Sequence, residues 1–86
     1  MGLDSVELVM AFEEAFELEI PNAEAERMQT IGSTTDLITA RLAASGRPMA
    51  RDRVLAMVCV LTADQCGTTL DRLTEDTSFV NDLGLS

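Results

Sequence analysis

The residue types that usually drive covalent chemistry are scarce in this chain. Its 86 residues contain no histidine, and all six basic residues are arginine. Histidine and lysine are the bases that most often activate a nucleophile. Ser5 has Asp4 beside it, but neighbouring positions on a helix do not face each other. These residues therefore argue against a hydrolase.

Two cysteines are the remaining reactive side chains. Cys59 and Cys66 lie in one helical pattern, and a rise of about 1.5 Å per residue places their Cα atoms about 10 Å apart. That separation is too long for a disulfide, so we expect two thiols in a reducing cytoplasm. Two cysteines without histidine do not form a zinc site. The acidic segment 71–82 also fails as an EF-hand, because Leu73 and Asp76 replace a required ligand and glycine.

The charge balance restricts the partners. Fifteen acidic residues stand against six arginines, which gives a formal charge of −9 at pH 7. Such a chain repels nucleic-acid phosphates and anionic membranes, so neither is an expected partner. Basic protein surfaces are expected instead, because opposite charge raises the association rate. No apolar run has the length of a membrane span, and the acidic start does not read as a signal peptide.

The apolar pattern predicts the elements that must position these groups. An amphipathic helix begins at Asp4, where Glu7 completes a capping box, and it ends near Leu18 because Pro21 follows. Its predicted apolar stripe is Val6, Val9, Met10, Phe12 and Phe16.

Three further helices follow in the pattern. A short helix over residues 23–28 turns Ala25 and Met28 inwards, and Ile31 and Gly32 form a loop. A helix starts at Ser33 and stops near residue 44, and another is capped by Asp52 and ends by Gly67. The tail is irregular, with four apolar residues predicted to plug the core: Phe79, Val80, Leu83 and Leu85. The expected fold is one small all-α antiparallel bundle with three main helices and one short helix.

Two motifs at opposite ends of the chain resemble acyl carrier proteins. Residues 3–16, LDSVELVMAFEEAF, resemble the family's second helix, and residues 20–31, IPNAEAERMQTI, resemble its I-P-x-x-x-A-E-x-x-x-T-V run. Residues 77–84, TSFVNDLG, resemble the S-F-x-x-D-L-G that precedes the family's modified serine. The resemblance implies a carrier rather than an enzyme, with acyl groups held as thioesters on 4′-phosphopantetheine, in fatty acid or polyketide synthesis.

The motifs stand in the reverse of the family's order, which is typical of a circular permutation. Residues 1–44 resemble the second to fourth helices, residues 45–50 form a junction, and residues 51–86 resemble the first helix and its following loop. Termini that lie close together at a surface make such a permutation possible. A piece cut across two tandem carrier domains is the rival interpretation.

The permutation opens the chain at the attachment site. In register with residues 6–8 the family's serine falls at Gly2, and in register with residues 82–84 Ser86 takes the place just before that serine. On this alignment the family's attachment serine is missing. The candidates for holding phosphopantetheine are therefore Ser86 and Ser5, which lies three residues further into the helix. The alternative interpretations are a frayed chain end for Ser86 and an ordinary first-turn residue for Ser5.

The resemblance also implies a docking face and an acyl pocket. The face would meet basic patches on synthases, acyl transferases and phosphopantetheinyl transferase through Asp4, Glu7, Glu13 and Glu14. The acyl chain would be flanked by Val9, Phe12, Phe16, Ile20, Met28, Ile31, Val58 and Leu61, a set that plain core packing explains equally well. The alternative function is a permuted scaffold, engineered or degenerate, that folds or binds proteins without carrying cargo.

The expected oligomeric state is a monomer in which the two ends of the chain pack against each other. In a closed monomer, Leu83 and Leu85 pack beside Leu3 and Val6, and Ser86 lies near Gly2. A domain-swapped dimer is the alternative, because both ends of the opened loop are free.

Overall fold

Four α-helices account for most of the backbone over residues 3–85. The computed structural model describes residues 3–85, with side chains from Ser5 onwards. The helices are α1 (Leu3–Phe16), α2 (Asn22–Ala25), α3 (Ile31–Ala44) and α4 (Arg51–Cys66), followed by a 3₁₀ turn at Leu70–Arg72. Within residues 3–85 the one extended pairing is an isolated antiparallel bridge between Thr30 and Ser78. The expected bundle of three long helices and one short helix is confirmed.

The buried face of α1 differs from the predicted stripe. Leu8, Phe12 and Phe16 are buried at spacings of four residues, whereas Val6 is 40% exposed and Met10 is 59% exposed. Both faces have helical periodicity. Phe12 and Phe16 belong to both faces, and Leu8 completes the buried one because it lies one helical turn before Phe12, in line with the two phenylalanines.

The carboxyl end of α1 is closed by a turn and by an arginine. The helix ends at Phe16, two residues before the predicted end, and Glu17 follows with a left-handed φ of 53°. The Leu18 N–H then donates to the Glu13 carbonyl at 3.0 Å. Arg47, from the junction segment, donates to the carbonyls of Phe16 at 3.1 Å and Glu17 at 2.7 Å. A cation at this end satisfies carbonyls that have no helical partner.

α3 begins earlier than the sequence pattern predicts. Thr30 is the N-cap: its hydroxyl accepts the Ser33 N–H at 3.1 Å, and the Ser33 hydroxyl accepts the Thr30 N–H at 3.0 Å. Ser33 is therefore the third residue of the helix rather than its start. Ile31 and Gly32, predicted as a loop, form its first two residues and are buried. The short helix α2 ends at Ala25, but Ala25 and Met28 are buried as predicted.

α4 lies between Pro48 and Gly67, the two residues predicted to interrupt the helices, but its N-cap is not the predicted Asp52. Ala50 is the N-cap, and Asp52 lies in the first turn, where its charge suits the helix dipole. The helix ends at Cys66, and Gly67 adopts a left-handed φ of 67°, which glycine tolerates without steric cost. Pro21 and residues 46–48 lie outside the helices, as predicted. Cys59 and Cys66 are both half-buried on α4.

The tail supplies the last part of the core. Leu73, Phe79 and Leu85 are buried, and Leu83 packs against the core in a half-buried position. Val80 was expected to plug the core but is 63% exposed. It lies in the turn at residues 79–83, where the backbone directs Phe79 rather than its neighbour inwards.

Candidate functional site

A cavity of about 340 Å³ opens beside α1. From α1 it is lined by Ser5, Leu8, Val9 and Phe12, one side of the first three turns. The period of the helix places these residues on one face, because positions three and four apart are neighbours. A volume of this size lies at the lower end of the range of about 300–1,000 Å³ that is typical of small-molecule sites.

The remaining walls come from α2 and the tail. The α2 side supplies Ala25, Glu26, Met28 and Gln29, and the tail supplies Ser78, Phe79, Val80, Asn81 and Leu85. The apolar members are mainly buried, whereas Glu26, Gln29, Val80 and Asn81 are exposed. The cavity therefore has an apolar interior and a largely polar rim, a division that suits a ligand with an apolar body and a polar end.

Three of the eight predicted acyl-pocket residues line this cavity: Val9, Phe12 and Met28. Phe16, Ile20, Ile31 and Val58 are buried in the core, and Leu61 packs against it half-buried, but none of these five lines the cavity. The sequence pattern missed Leu8, Ala25, Phe79 and Leu85. Leu8 could have been found from its four-residue spacing from Phe12, which places the two side chains on one face of the helix.

The tail wall is fixed to the α2–α3 connection by backbone hydrogen bonds. The Phe79 N–H donates to the Gln29 carbonyl at 3.0 Å, next to the bridge between Thr30 and Ser78. Leu85 returns to the same wall, where its N–H donates to the Phe79 carbonyl at 2.9 Å. Two walls of the cavity are thus tied together across a long sequence separation.

The candidate attachment residues lie at one side of the cavity or outside the described part of the chain. Ser5 is half-buried in the cavity wall. Ser86 and Gly2, the register position of the family's serine, both lie outside residues 3–85. The expected closeness of these two residues therefore falls outside the described part of the chain. The expected contact of Leu83 and Leu85 with the Leu3 side chain also falls outside the described part of the chain, which includes side chains only from Ser5 onwards. The tail does reach α1, since Leu85 and Ser5 line one cavity.

The acidic positions of α1 have different surroundings. Glu7 and Glu14 are exposed, and Glu7 lies 3.4 Å from the Gln65 amide nitrogen. Glu13 is half-buried, and its carboxylate accepts the Ile20 N–H at 2.8 Å. The Asp4 side chain lies outside the described residues. The exposed apolar Val6 and Met10 share the helix with these carboxylates, so α1 presents a mixed acidic and apolar surface.

One arginine makes a double ion pair at the start of α4. Arg51 donates to Asp36 at 2.7 Å and to Glu75 at 2.5 Å. The hydrogen bond from Arg51 holds the pKa of Glu75 below its usual range, and the two carboxylates raise the pKa of Arg51. Burial, with a smaller contribution from Glu75, raises the pKa of the Cys59 thiol. A separate ion pair joins Arg41 to Glu24.

Residues 3–85 bring together no group of three or more His, Cys, Asp or Glu side chains that could hold a metal ion. None of the helices described above is long and apolar enough to cross a bilayer.

Comparison with known proteins gives a partial match. Over 43 residues the chain is 57% identical to a protein named acyl carrier protein from Phenylobacterium zucineum strain HLK1, covering 50% of this chain and 54% of that protein. It is 56% identical over 42 residues to an acyl carrier protein from Caulobacter vibrioides strain NA1000 / CB15N, covering 49% and 54%. The chain thus spans about half the length of the curated relatives it matches. No protein-family model and no solved structure matches.

The matched relatives confirm the resemblance that the motifs indicated, over about half of the chain. Their printed name describes a carrier rather than an enzyme.

Proposed function

We propose that this chain is an acyl-carrier domain that shelters the acyl group of a thioester in the cavity beside α1 and presents it to acyl-transfer and synthase enzymes. The cavity is the observation that carries the proposal. Its interior is apolar and its rim is largely polar, and half of the chain is 57% identical to a protein named acyl carrier protein.

The hydrophobic effect gives the cavity its expected preference. Each methylene that leaves water for an apolar wall contributes about 0.8 kcal/mol, or about fourfold in affinity. Leu8, Phe12 and Phe79 offer such a wall. Affinity should therefore rise with acyl length until the cavity is full.

The charge of the chain favours a neutral thioester over a free fatty acid. The formal charge is −9, and Glu26 lies at the rim of the cavity. A fatty-acid carboxylate at the rim would meet a like charge, which costs binding energy. A thioester has no charge at that point.

The outer surface of α1 is the proposed docking face. Glu7 and Glu14 are exposed there, together with Val6 and Met10. Carboxylates steer a basic partner into contact, and exposed apolar side chains add area that is buried in the complex. The partners proposed are synthases and acyl transferases of fatty acid or polyketide synthesis.

Ser5 fits poorly as an attachment point for phosphopantetheine. Its side chain is half-buried in the cavity wall near Leu8 and Val9. A phosphodiester there would place a charge against apolar side chains, which is costly without a partner. Ser86 is therefore the proposed attachment residue, and the arm, when present, would supply the thioester.

Mass spectrometry tests the carrier function. The chain is incubated with a phosphopantetheinyl transferase and coenzyme A, and its intact mass is measured. We expect a gain equal to one arm, lost in Ser86→Ala and kept in Ser5→Ala. No gain in the unaltered chain would support the scaffold function instead.

The circular permutation is also a proposal. Its support is the reversed order of the motifs and the return of Leu85 to the cavity that Ser5 lines. In this proposal residues 1–44, the junction 45–50 and residues 51–86 form a single domain. Joining residue 86 to residue 1, while opening the chain between Gly46 and Arg47, should give a folded protein with the family's usual order.

A further inference from the structure

Residues 74–79, which we call the strap, cover the amino end of α3. The Gly32 N–H donates to the Glu75 carbonyl at 2.8 Å, and the Ile31 N–H donates to the Thr77 carbonyl at 3.1 Å. The first amides of a helix have no partner within the helix. The strap supplies partners for two of them, so its backbone is held in register with α3.

Gly32 lets the strap lie directly on the helix. A Cβ atom at this position would lie 3.0 Å from the Glu75 carbonyl oxygen and 3.2 Å from the Glu75 Cβ. Both distances are shorter than ordinary van der Waals contact between such atoms. The absence of a side chain therefore permits the close approach of strap and helix.

Arg51 fixes the outer side of the strap. Its guanidinium donates to Asp36 on α3 and to Glu75 on the strap, at 2.7 and 2.5 Å. Arg51 is also the first residue of α4. One planar side chain thus joins two helices and the strap, a geometry to which the guanidinium fork is suited.

The same strap forms part of the cavity. Ser78 and Phe79, at its far end, line the cavity together with residues of α1. The Phe79 N–H donates to the carbonyl of Gln29, another lining residue. The position of this wall consequently depends on where the strap sits on α3.

We propose that Arg51 is a positioning residue for the cavity: by holding Asp36 and Glu75 together it fixes the strap, and so keeps the Phe79 wall closed on a bound acyl chain. This proposal rests on the proposed function, because it takes the cavity to be the acyl site. Arg51 acts through Glu75 and touches no cargo itself.

The test uses octanoyl-pantetheine, a neutral thioester that needs no covalent attachment. Binding is followed by NMR through the methyl resonances of Leu8 and Val9. We expect Arg51→Gln to raise the dissociation constant about two- to fivefold, because a strap that is no longer held must be ordered when the probe binds, and exposed ion pairs hold it only weakly. Glu75→Gln should give a similar increase, and it keeps the proposal testable if Arg51→Gln does not fold.

Arg53→Gln is the matched control. Arg53 lies on the first turn of the same helix, is exposed, and forms no ion pair among residues 3–85. The control has the same change in charge and should bind the probe as the unaltered chain does.

Hydrogen exchange separates positioning from general stability. In Arg51→Gln the amides of Gly32 and Phe79 should exchange faster, while that of Val58 in the buried face of α4 should not. Equal acceleration at Val58, or unchanged probe binding by Arg51→Gln and Glu75→Gln, would overturn the function proposed for Arg51 and leave the acyl site standing. Failure of the unaltered chain to shift the Leu8 and Val9 resonances would overturn the acyl site, and this proposal with it.

Discussion

The carboxylate of Glu13 accepts a hydrogen bond from the backbone N–H of Ile20 at 2.8 Å. Ile20 precedes Pro21, so this bond spans the turn that leads from α1 to α2. Ile20 is buried, and a buried amide without a partner is costly. Glu13 therefore has a structural function in addition to any contact it makes with a partner.

Glu13→Ala should destabilise the protein by about 1–2 kcal/mol, because it leaves the Ile20 amide without its acceptor. Glu14→Ala is the control, since Glu14 is exposed on the same helix and surface changes usually lie within about 0.5 kcal/mol. Urea unfolding at neutral pH measures both. Equal midpoints for the two variants would show that the Glu13 bond adds nothing to stability.

Phe16→Ala should cost about 3–5 kcal/mol, because Phe16 is buried in the core and its removal leaves a cavity. Met10→Ala, on the same helix but 59% exposed, should change the free energy of unfolding by less than about 0.5 kcal/mol. The two variants are compared by urea unfolding. A loss for Met10→Ala as large as that for Phe16→Ala would contradict the observed orientation of α1.

Acid should remove the stabilisation that Glu75 provides. Arg51 lowers the folded-state pKa of Glu75, so the contribution is fully present above the unfolded value of about 4.3 and is lost as the pH falls through the folded-state pKa. The unaltered chain should be more stable than Glu75→Gln at about pH 7, and the difference should shrink below about pH 4. A constant difference over that range would refute the pairing.

The Cys59 thiol should react slowly with iodoacetamide. Burial, and secondarily Glu75, raises its pKa, so less reactive thiolate is present near neutral pH. A Cys66→Ser background leaves Cys59 as the reporting thiol. Labelling should be slower than for the same chain in urea, and Glu75→Gln should accelerate it slightly. Labelling of the folded chain as fast as in urea would contradict this.

The chain should be a closed monomer in solution. Leu85 packs against the core and lines the cavity together with residues of α1, and Arg47 ties the junction to the end of α1. Light scattering across a dilution series should give the monomer mass at every concentration. A dimer that persists on dilution would favour the swapped arrangement.

Local signals in the sequence were sufficient to locate the four helices, although not all of their ends. Gly46 and Gly67 interrupt the apolar periodicity just after α3 and α4 end, and Pro21 prevents the segment after α1 from continuing as a helix. The cap of α3 was misplaced because Thr30 and Ser33 are both good caps. The choice between them depends on strap carbonyls more than forty residues later in the chain.

The cavity could be predicted only in part, for a similar reason. Val9 and Phe12 belong to α1, and their periodicity marks one face of that helix. Phe79 and Leu85 reach the cavity through tertiary hydrogen bonds such as that between the Phe79 N–H and the Gln29 carbonyl. No local pattern distinguishes inward-facing Phe79 from exposed Val80, since the turn decides which of the two is buried.

The exposed Val6 and Met10 lie on a helix whose outer side also presents carboxylates, and this has a consequence for colloidal behaviour. Apolar side chains on a free surface invite self-association, but a charge far from zero keeps copies of a protein apart. At a formal charge of −9 this repulsion lets the apolar pair remain uncovered in concentrated solution. Near the isoelectric point of about 4.1 the repulsion vanishes, so the face that should recognise partners becomes the face through which the protein precipitates.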